Sequence, residues 1–285
     1  LRIFMDKKNV GIIGLGFVGE AIFEGLKDFH NLFTYDISKK CNCESIDELI
    51  NKSEFIFVCV PTPMNKIGQC DLSIVESVIL DISKKCESKI VIIKSTSPPE
   101  TSKNFSNKYS NLSIVFNPEF LTEKNYINDF KNQEFIVLGG EKDSCNSVKE
   151  MYKIAFPNVK YFLTSSDTAE LVKYTINNFL ALKVSFANEI YTFAKLLNIN
   201  YDELISICKN DIRLGESHWQ VPGHDGKMGY GGSCLPKDVS ALLFEIEKRQ
   251  MKSFIIKAAM TRNIEFDRTE KDWERFKGRA VSKED

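Results

Sequence analysis

The segment that most constrains the fold is Gly14-Leu15-Gly16-Phe17-Val18-Gly19. It follows the apolar run 10–13 and precedes a stretch, 17–28, whose pattern is helical. In such a turn the first glycine allows a tight bend, the second lets a pyrophosphate approach the backbone, and the third lets helix and strand pack closely. The turn therefore predicts a dinucleotide-binding βαβ unit with the pyrophosphate at the helix N-terminus.

An acidic residue, Asp36, ends the next apolar run. A carboxylate at this place hydrogen-bonds the adenosine ribose and repels a 2′-phosphate. The pair of features predicts NAD rather than NADP as the cofactor. FAD, or a glycine-rich turn that binds no ligand, is the weaker alternative.

Further short apolar runs, rich in Val and Ile, alternate with helical stretches up to about residue 163. They cover 32–35, 55–60, 90–93, 113–116, 135–138 and 159–162. Continuous apolar runs of this kind are typical of parallel strands buried on both faces. The sequence therefore predicts an α/β fold, with a Rossmann-like, doubly wound parallel sheet in a domain spanning 1–163.

The pattern changes at residue 164. A segment without Pro or Gly, 165–197, predicts one long helix, which is apolar on more than one face. It predicts an all-α domain over 164–285 and a homodimer formed through this helix, with burial inside the chain as the alternative. Beyond it we expect a helix at 202–209, a glycine-rich loop at 213–235, and helices at 236–249 and 251–271.

Composition excludes several classes of partner. The 285 residues carry a net charge of -1, so no field of one sign favours nucleic acid or an anionic membrane. The sequence contains no run of about 20 apolar residues, so we expect no membrane-spanning helix. The eight cysteines are scattered, which favours reduced thiols in a cytoplasmic protein. Cys41 and Cys43 lack a second pair at zinc-ligand spacing, so no metal is expected.

Polar segments follow three of the predicted strands, at 60–63, 94–99 and 117–123. Ligands bind at the carboxyl ends of the strands in this architecture, although each segment taken alone is more typical of a Pro-terminated surface loop. On the long helix, Lys173 and Asn177 are four residues apart and share a face. The apolar neighbours of Lys173 would make its burial costly unless it has a partner or a function. The alternative is a lysine whose ammonium reaches solvent, beside a solvent-facing Asn177.

Cys234 lies directly before a predicted helix that has Pro236 in its first turn. A thiol at a helix N-terminus has a stabilised thiolate. Lys237 adds a cation, and Asp238 is placed to steer a proton or a water. A half-buried structural cysteine is the alternative. His218 and His224 lie in the loop before it, either near substrate or in solvent.

Together these segments resemble the UDP-glucose/GDP-mannose dehydrogenase family, from Gly14 to about Arg262. The matching motifs are the glycine turn, Val-Pro-Thr-Pro (60–63), Ser-Thr-x-Pro-Pro (95–99), Asn-Pro-Glu-Phe-Leu-x-Glu (117–123), Ala-Glu-Leu-Val-Lys-Tyr-x-x-Asn (169–177) and Gly-Tyr-Gly-Gly-x-Cys-Leu-Pro-Lys-Asp (229–238). The last of these is highly specific.

The resemblance implies an NAD-dependent, four-electron oxidation of a nucleotide sugar, with UDP-glucose the first candidate and polysaccharide biosynthesis the setting. It implies that Cys234 is the covalent catalyst, that Lys173 and Asn177 stabilise an oxyanion, and that Asp238, Thr96 and Glu123 orient water and move protons. The implied cofactor-binding residues are Gly14, Gly16, Phe17, Val18, Gly19, Asp36, Thr62, Thr96 and Glu123. The implied sugar-binding residues are Glu119, Phe120, Leu121, Lys173, Asn177, Tyr230 and Gly231.

The chain departs from the family pattern in three places. Family members usually carry a third, nucleotide-gripping domain beyond the helices. We expect a short form that lacks it; the alternatives are a fragment and an enzyme that completes its site from a second subunit. Gln133-Glu134 stands where the family has Asp-Arg, and 215–226 differs from the usual sugar-nucleotide loop. The sequence therefore does not identify the sugar or the nucleotide base of the substrate. The alternatives are a β-hydroxyacid dehydrogenase of the 6-phosphogluconate type, which needs no Cys234, and a non-catalytic NAD-binding protein.

Overall fold

The structure is a computed structural model that describes residues 7–86 and 88–283. The chain divides into two compact units, Leu1–Thr62 with Leu72–Lys173, and Pro63–Asp71 with Tyr174–Asp285. The predicted division at residue 163 stays a prediction.

The first unit holds a seven-stranded sheet in the order β2-β1-β3-β4-β5-β6-β7. Its strands are β1 Asn9–Ile13, β2 Asn31–Tyr35, β3 Phe55–Val58, β4 Lys89–Ile93, β5 Leu112–Phe116, β6 Phe135–Gly140 and β7 Lys160–Thr164. Its helices are α1 Phe17–Leu26, α2 Ile46–Lys52, α3 Ser73–Lys85, α4 Thr101–Lys108, α5 Tyr126–Lys131 and α6 Lys142–Lys153. This arrangement confirms the predicted Rossmann-like α/β fold.

Alternate residues of the strands contribute to two separate apolar cores. On β3, Phe55 and Phe57 belong to one core, while Ile56 and Val58 belong to the other. All four are buried. Because both faces of the sheet are covered, the strand has no polar position, which is why its sequence is a continuous apolar run.

One strand pair departs from the predicted parallel pattern. β6 runs antiparallel to β5, with Val115 opposite Gly140 and Phe116 opposite Gly139, whereas every other pair in the sheet is parallel. An antiparallel neighbour needs no crossover over a face of the sheet. Gly140 has φ +156°, and a Cβ there would lie 2.8 Å from the Ile114 carbonyl oxygen, so this close pairing requires glycine.

The second unit is helical apart from its loops. Its helices are α7 Ser166–Leu196, of which the part after Lys173 belongs to this unit, α8 Tyr201–Cys208, α9 Leu235–Lys248 and α10 Ile255–Arg262. The segment Pro63–Asp71 also belongs to it: Met64 exchanges backbone hydrogen bonds with Ala280 (2.9 Å) and Ser282 (2.9 Å). The prediction of an α/β sheet followed by helices built on one long helix is confirmed.

The predicted helix 251–271 is wrong in its extent. The α-helix ends at Arg262, a π-type turn covers Asn263–Asp267, and a 3₁₀ turn follows at Asp272–Arg275. The reason is tertiary, because the Asn263 amide bonds both backbone groups of Tyr230 and the Arg268 side chain is buried among carboxylates. Of the described helices, none is long and apolar enough to cross a membrane. All eight cysteines are free thiols.

Candidate active site

The glycine turn sits at the switch point of the sheet, where β1 lies between β2 and β3. Gly14 has φ +91°, and a Cβ there would lie 2.7 Å from the Cys59 carbonyl oxygen. A Cβ at Gly19 would lie 1.9 Å from the Gly14 carbonyl oxygen, whereas a Cβ at Gly16 would meet nothing within 4 Å. Gly14 and Gly19 thus serve internal packing, whereas Gly16 faces open space, as a pyrophosphate-binding turn requires.

The start of α1 is suited to a phosphate. Gly16 is its N-cap residue, and no side chain of the described residues caps this end. A helix N-terminus attracts negative charge through its amides and its dipole. Phe17 and Val18, both half-buried, form the first turn beside it. The residues present therefore fit the diphosphate of a dinucleotide.

Asp36 is fixed at the end of β2 by backbone amides. Its Oδ2 accepts a hydrogen bond from Leu15 N (2.7 Å), and its Oδ1 accepts one from Ser38 N (2.8 Å). Burial opposes ionisation, but these hydrogen bonds outweigh it and hold the pKa of Asp36 below its ordinary value. Each carboxylate oxygen accepts more than one hydrogen bond, so the group can also bind ribose hydroxyls.

Thr62 and Thr96 lie just beyond β3 and β4, and both are buried. Thr62 Oγ1 donates to the Thr96 carbonyl oxygen at 2.8 Å. Two of the predicted nicotinamide-side residues are therefore brought together. Glu123 lies in the exposed stretch 122–125, before α5.

Glu119 and Lys173 form a buried ion pair in the first unit. Lys173 Nζ lies 2.8 Å from Glu119 Oε1, with the two side chains 3% and 11% exposed. Burial alone would raise the pKa of Glu119, but the charge and hydrogen bond of Lys173 lower it below its ordinary value. Leu121 N donates to Glu119 Oε2 at 2.8 Å, and the Lys173 ammonium lies 5.7 Å from the Phe120 ring centroid. Four of the predicted sugar-site residues thus form one cluster.

Asp238 is the centre of a second cluster, in the second unit. It is 1% exposed, and its Oδ2 accepts a hydrogen bond from Asn177 Nδ2 at 2.5 Å. The Lys237 ammonium bonds Oδ1. Burial lowers the pKa of Lys237, but Asp238 and Cys234 outweigh it, so the net shift is upward and the side chain is a cation. The Asn178 amide also donates to the Asp238 carbonyl oxygen (3.2 Å).

Cys234 is the N-cap residue of α9 and is half-buried, with Pro236 in the first turn. Its Sγ lies 3.8 Å from Ser233 Oγ. The negative charge of a Cys234 thiolate is one of the causes that raise the pKa of Lys237. The helix N-terminus and this cation both favour the thiolate. Cys234 therefore lies at the start of the helix that carries Lys237 and the buried Asp238.

The glycine-rich segment before Cys234 is held by side chains of the same unit. Asn188 Oδ1 accepts from Gly229 N (3.0 Å), and Asn263 bonds the Tyr230 backbone. A Cβ at Gly231 would lie 2.1 Å from the guanidinium of Arg268. The two predicted sugar-site residues, Tyr230 and Gly231, are therefore packed against Asn263 and Arg268, which fixes the loop that carries the thiol.

The loop with two histidines is also structured. Lys183 donates to the Leu214 carbonyl oxygen (2.7 Å), and its ammonium lies 4.7 Å from the Trp219 ring centroid. Burial lowers the pKa of His218, and the charge of Lys183 lowers it further. His218 is therefore neutral at pH 7.

Sequence reasoning did not select several residues that frame the two clusters. Lys94 is the clearest, because a charged residue ends an otherwise apolar strand run, and its side chain is 3% exposed. That position was a usable signal. No sequence signal marks Arg268 or Asn188, since only the folded chain places them beside the glycine-rich segment.

Two family models match the chain. Residues 28–156 match the NAD-binding domain of the UDP-glucose/GDP-mannose dehydrogenase family, and residues 167–265 match its central domain. The first match includes Asp36 and begins after the glycine turn; the second includes Cys234. The NAD prediction and the family resemblance are both confirmed.

Relatives and solved structures agree. A UDP-glucose 6-dehydrogenase of Rickettsia bellii is 33% identical over 229 residues, 77% of this chain and 51% of the relative. That of Campylobacter jejuni is 34% identical over 221 residues, 76% of this chain and 55% of the relative. A UDP-glucose dehydrogenase structure from Pyrobaculum islandicum has a TM-score of 0.82 at 26% identity, covering 92% of this chain and 69% of that one. The chain spans about half the length of the curated relatives it matches.

Proposed function

The chain belongs to the UDP-glucose/GDP-mannose dehydrogenase family, and on this premise we propose that it oxidises the C6 alcohol of a nucleotide sugar to the uronate. UDP-glucose is the first candidate substrate. NAD, when bound, accepts a hydride from C6 in each of two successive oxidations. The overall change is alcohol, two NAD⁺ and water to carboxylate, two NADH and three protons.

Cys234 carries the covalent part of the proposed reaction. Its thiolate adds to the C6 aldehyde formed by the first oxidation, and the oxygen of the resulting thiohemiacetal takes up a proton. The second oxidation leaves a thioester on Sγ. Water then adds to the acyl carbon and the thiolate departs, which yields the uronate and restores Cys234.

The remaining roles are those that the family resemblance implies, and the two clusters support the roles of Lys173, Asn177 and Asp238. Lys173, held by Glu119, and the Asn177 amide are donors to developing negative charge on the substrate oxygen. Asp238, which bonds the Lys237 ammonium, orients the attacking water and accepts its proton. Thr96 and Glu123 contribute to proton movement, and Phe120, Leu121, Tyr230 and Gly231 contact the sugar.

The observation that carries this proposal is the position of Cys234 at the N-terminus of α9, coupled to Lys237 and followed by the buried Asp238. Cys234→Ser is expected to lose uronate formation, while NAD titration by fluorescence is unchanged. Cys208→Ser, at the half-buried C-terminus of α8, is the matched control and keeps full turnover. Normal turnover by Cys234→Ser would exclude the covalent mechanism.

The stoichiometry separates this function from its rivals. A panel of UDP-glucose, UDP-N-acetylglucosamine, UDP-N-acetylmannosamine and GDP-mannose is tested with NAD, first by thermal shift and then by turnover. Two NADH per sugar support the proposal, whereas one NADH per substrate supports a β-hydroxyacid dehydrogenase. NAD binding without oxidation of any of the four sugars supports a non-catalytic NAD-binding protein.

We also propose a homodimer formed through α7. Phe179, Phe186 and Phe193 recur every seven residues on this helix and are 64%, 54% and 58% exposed. A seven-residue apolar repeat is suited to helix–helix packing, and a second copy presents the same stripe. Sedimentation should give a dimer that Phe186→Asp dissociates; a monomeric wild-type protein contradicts the proposal.

A further inference from the structure

Lys94 is a buried cation for which the proposed reaction has no role so far. It follows β4 directly and is 3% exposed. Its Nζ donates to Asn117 Oδ1 at 3.1 Å and to the Pro118 carbonyl oxygen at 3.3 Å. Both acceptors are neutral, so the ammonium is held by oxygens that compensate only part of its desolvation.

Both acceptors belong to the turn that carries Glu119. Asn117 is fixed further, because its Nδ2 donates to the Val137 carbonyl oxygen (2.8 Å) and its Oδ1 also accepts from the Tyr152 hydroxyl (2.8 Å). Lys94 thus binds the two residues directly before Glu119. Lys94 therefore holds the 117–118 part of this turn, and Lys173 holds the Glu119 carboxylate.

The surroundings place the titration of Lys94 in an accessible pH range. Burial lowers its pKa to about 8; Cys59 and Glu119 oppose this shift, and Lys173 adds to it. Burial raises the pKa of Cys59 to about 12 and that of Tyr152 well above its ordinary value. The titratable groups that act on Lys94 are therefore the neutral Cys59, directly after β3, and the Glu119–Lys173 ion pair. The neutral Tyr152, on α6, shares the Asn117 Oδ1 acceptor with Lys94.

We propose that Lys94 is a positioning residue for the proposed oxidation, whose ammonium holds the 117–119 turn so that Glu119 meets Lys173, and whose loss of a proton sets the alkaline limit of turnover. This inference rests on the proposed function. Deprotonation removes one positive charge and one donor beside Glu119. The neutral amine keeps two N–H donors, but it binds the Asn117 and Pro118 oxygens without charge assistance, and its charge no longer stabilises the Glu119 carboxylate. The turn is then held less firmly, and Lys173 is displaced from its productive position.

The test compares Lys94→Arg, which keeps a charge that does not titrate below pH 12, with Lys94→Met, which removes the charge. With the sugar of the panel that is oxidised best, kcat/KM of the wild-type protein should fall above pH 8, whereas Lys94→Arg should show no such limb. Lys94→Met should lose about 100-fold in kcat, as expected for a displaced catalytic group, with the NAD dissociation constant unchanged. Lys89→Arg, at the other end of β4, is the matched control and keeps the wild-type profile.

A spectroscopic titration tests the same point without turnover. With ¹³C-labelled lysine, one Cε signal should titrate near pH 8 in the wild-type protein and be missing in Lys94→Met or Lys94→Arg. An alkaline limb that persists in Lys94→Arg, or the lack of any such lysine signal, overturns the role of Lys94 alone. A wild-type protein that oxidises no sugar while this signal titrates near pH 8 overturns the proposed function, and with it this role.

Discussion

The buried pair of Glu119 and Lys173 offers the most quantitative prediction. At 2.8 Å in a protein environment with an effective dielectric constant of about 20, the attraction between the two charges is about 6 kcal/mol. Desolvation offsets much of this when both partners are present. Removal of one partner leaves a charge that is 3% exposed without compensation. Glu119→Gln should therefore lower the free energy of unfolding by about 3–5 kcal/mol.

The assay is urea denaturation at pH 7. Glu150→Gln is the matched control, because Lys153 and Glu150 also lie 2.8 Å apart but are 37% and 65% exposed. Such a surface pair contributes less than about 1 kcal/mol. The double variant Glu119→Gln/Lys173→Met should recover much of the loss, since it leaves no buried charge from this pair. A Glu119→Gln variant no less stable than Glu150→Gln refutes the reasoning.

The same pair predicts a pH dependence. Because the pKa of Glu119 is lowered in the folded protein, its stabilising contribution is complete above the unfolded value of about 4.3 and is lost as the pH falls through the folded value. Wild-type protein should therefore lose more stability than Glu119→Gln between pH 5 and the acid transition. Parallel pH curves for the two proteins contradict this assignment.

Three further predictions concern the cofactor turn and Lys94. Asp36→Ala should weaken NAD binding about tenfold, because charge-assisted hydrogen bonds to the ribose are lost, and should reduce the preference for NAD over NADP. Fluorescence titration with both cofactors measures this, and an unchanged preference rejects the role of Asp36 in ribose binding. Gly19→Ala should reduce thermal stability, since its Cβ would lie 1.9 Å from the Gly14 carbonyl oxygen, whereas Gly16→Ala should fold normally and yet lose NAD binding. Relative to Lys94→Met, the wild-type protein should gain about 3 kcal/mol of stability between pH 8 and 10.5, because the folded lysine has released a proton that the unfolded chain still binds; a constant difference between the two urea curves rules out the lowered pKa.

The sequence by itself determined the features that depend on neighbouring residues. The glycine turn, the Asp36 position and the continuous apolar runs predict a βαβ unit, since the steric needs of a tight turn and of a strand buried on both faces are local. The position of Cys234 before a helix with Pro236 is equally local. The long α7 follows from a segment that lacks Pro and Gly.

Only the tertiary structure decided which of these groups meet. Strand order and the reversed direction of β6 depend on long connections, whose sequences do not encode a direction. The ion pair of Glu119 and Lys173, the burial of Lys94 and the inward turn of Arg268 each join segments far apart in the chain, and the cost of burying a charge is set by the whole environment. Cys234 could therefore be proposed as the nucleophile from local sequence, whereas the buried charges at Glu119, Lys173 and Lys94 are properties of the packed fold.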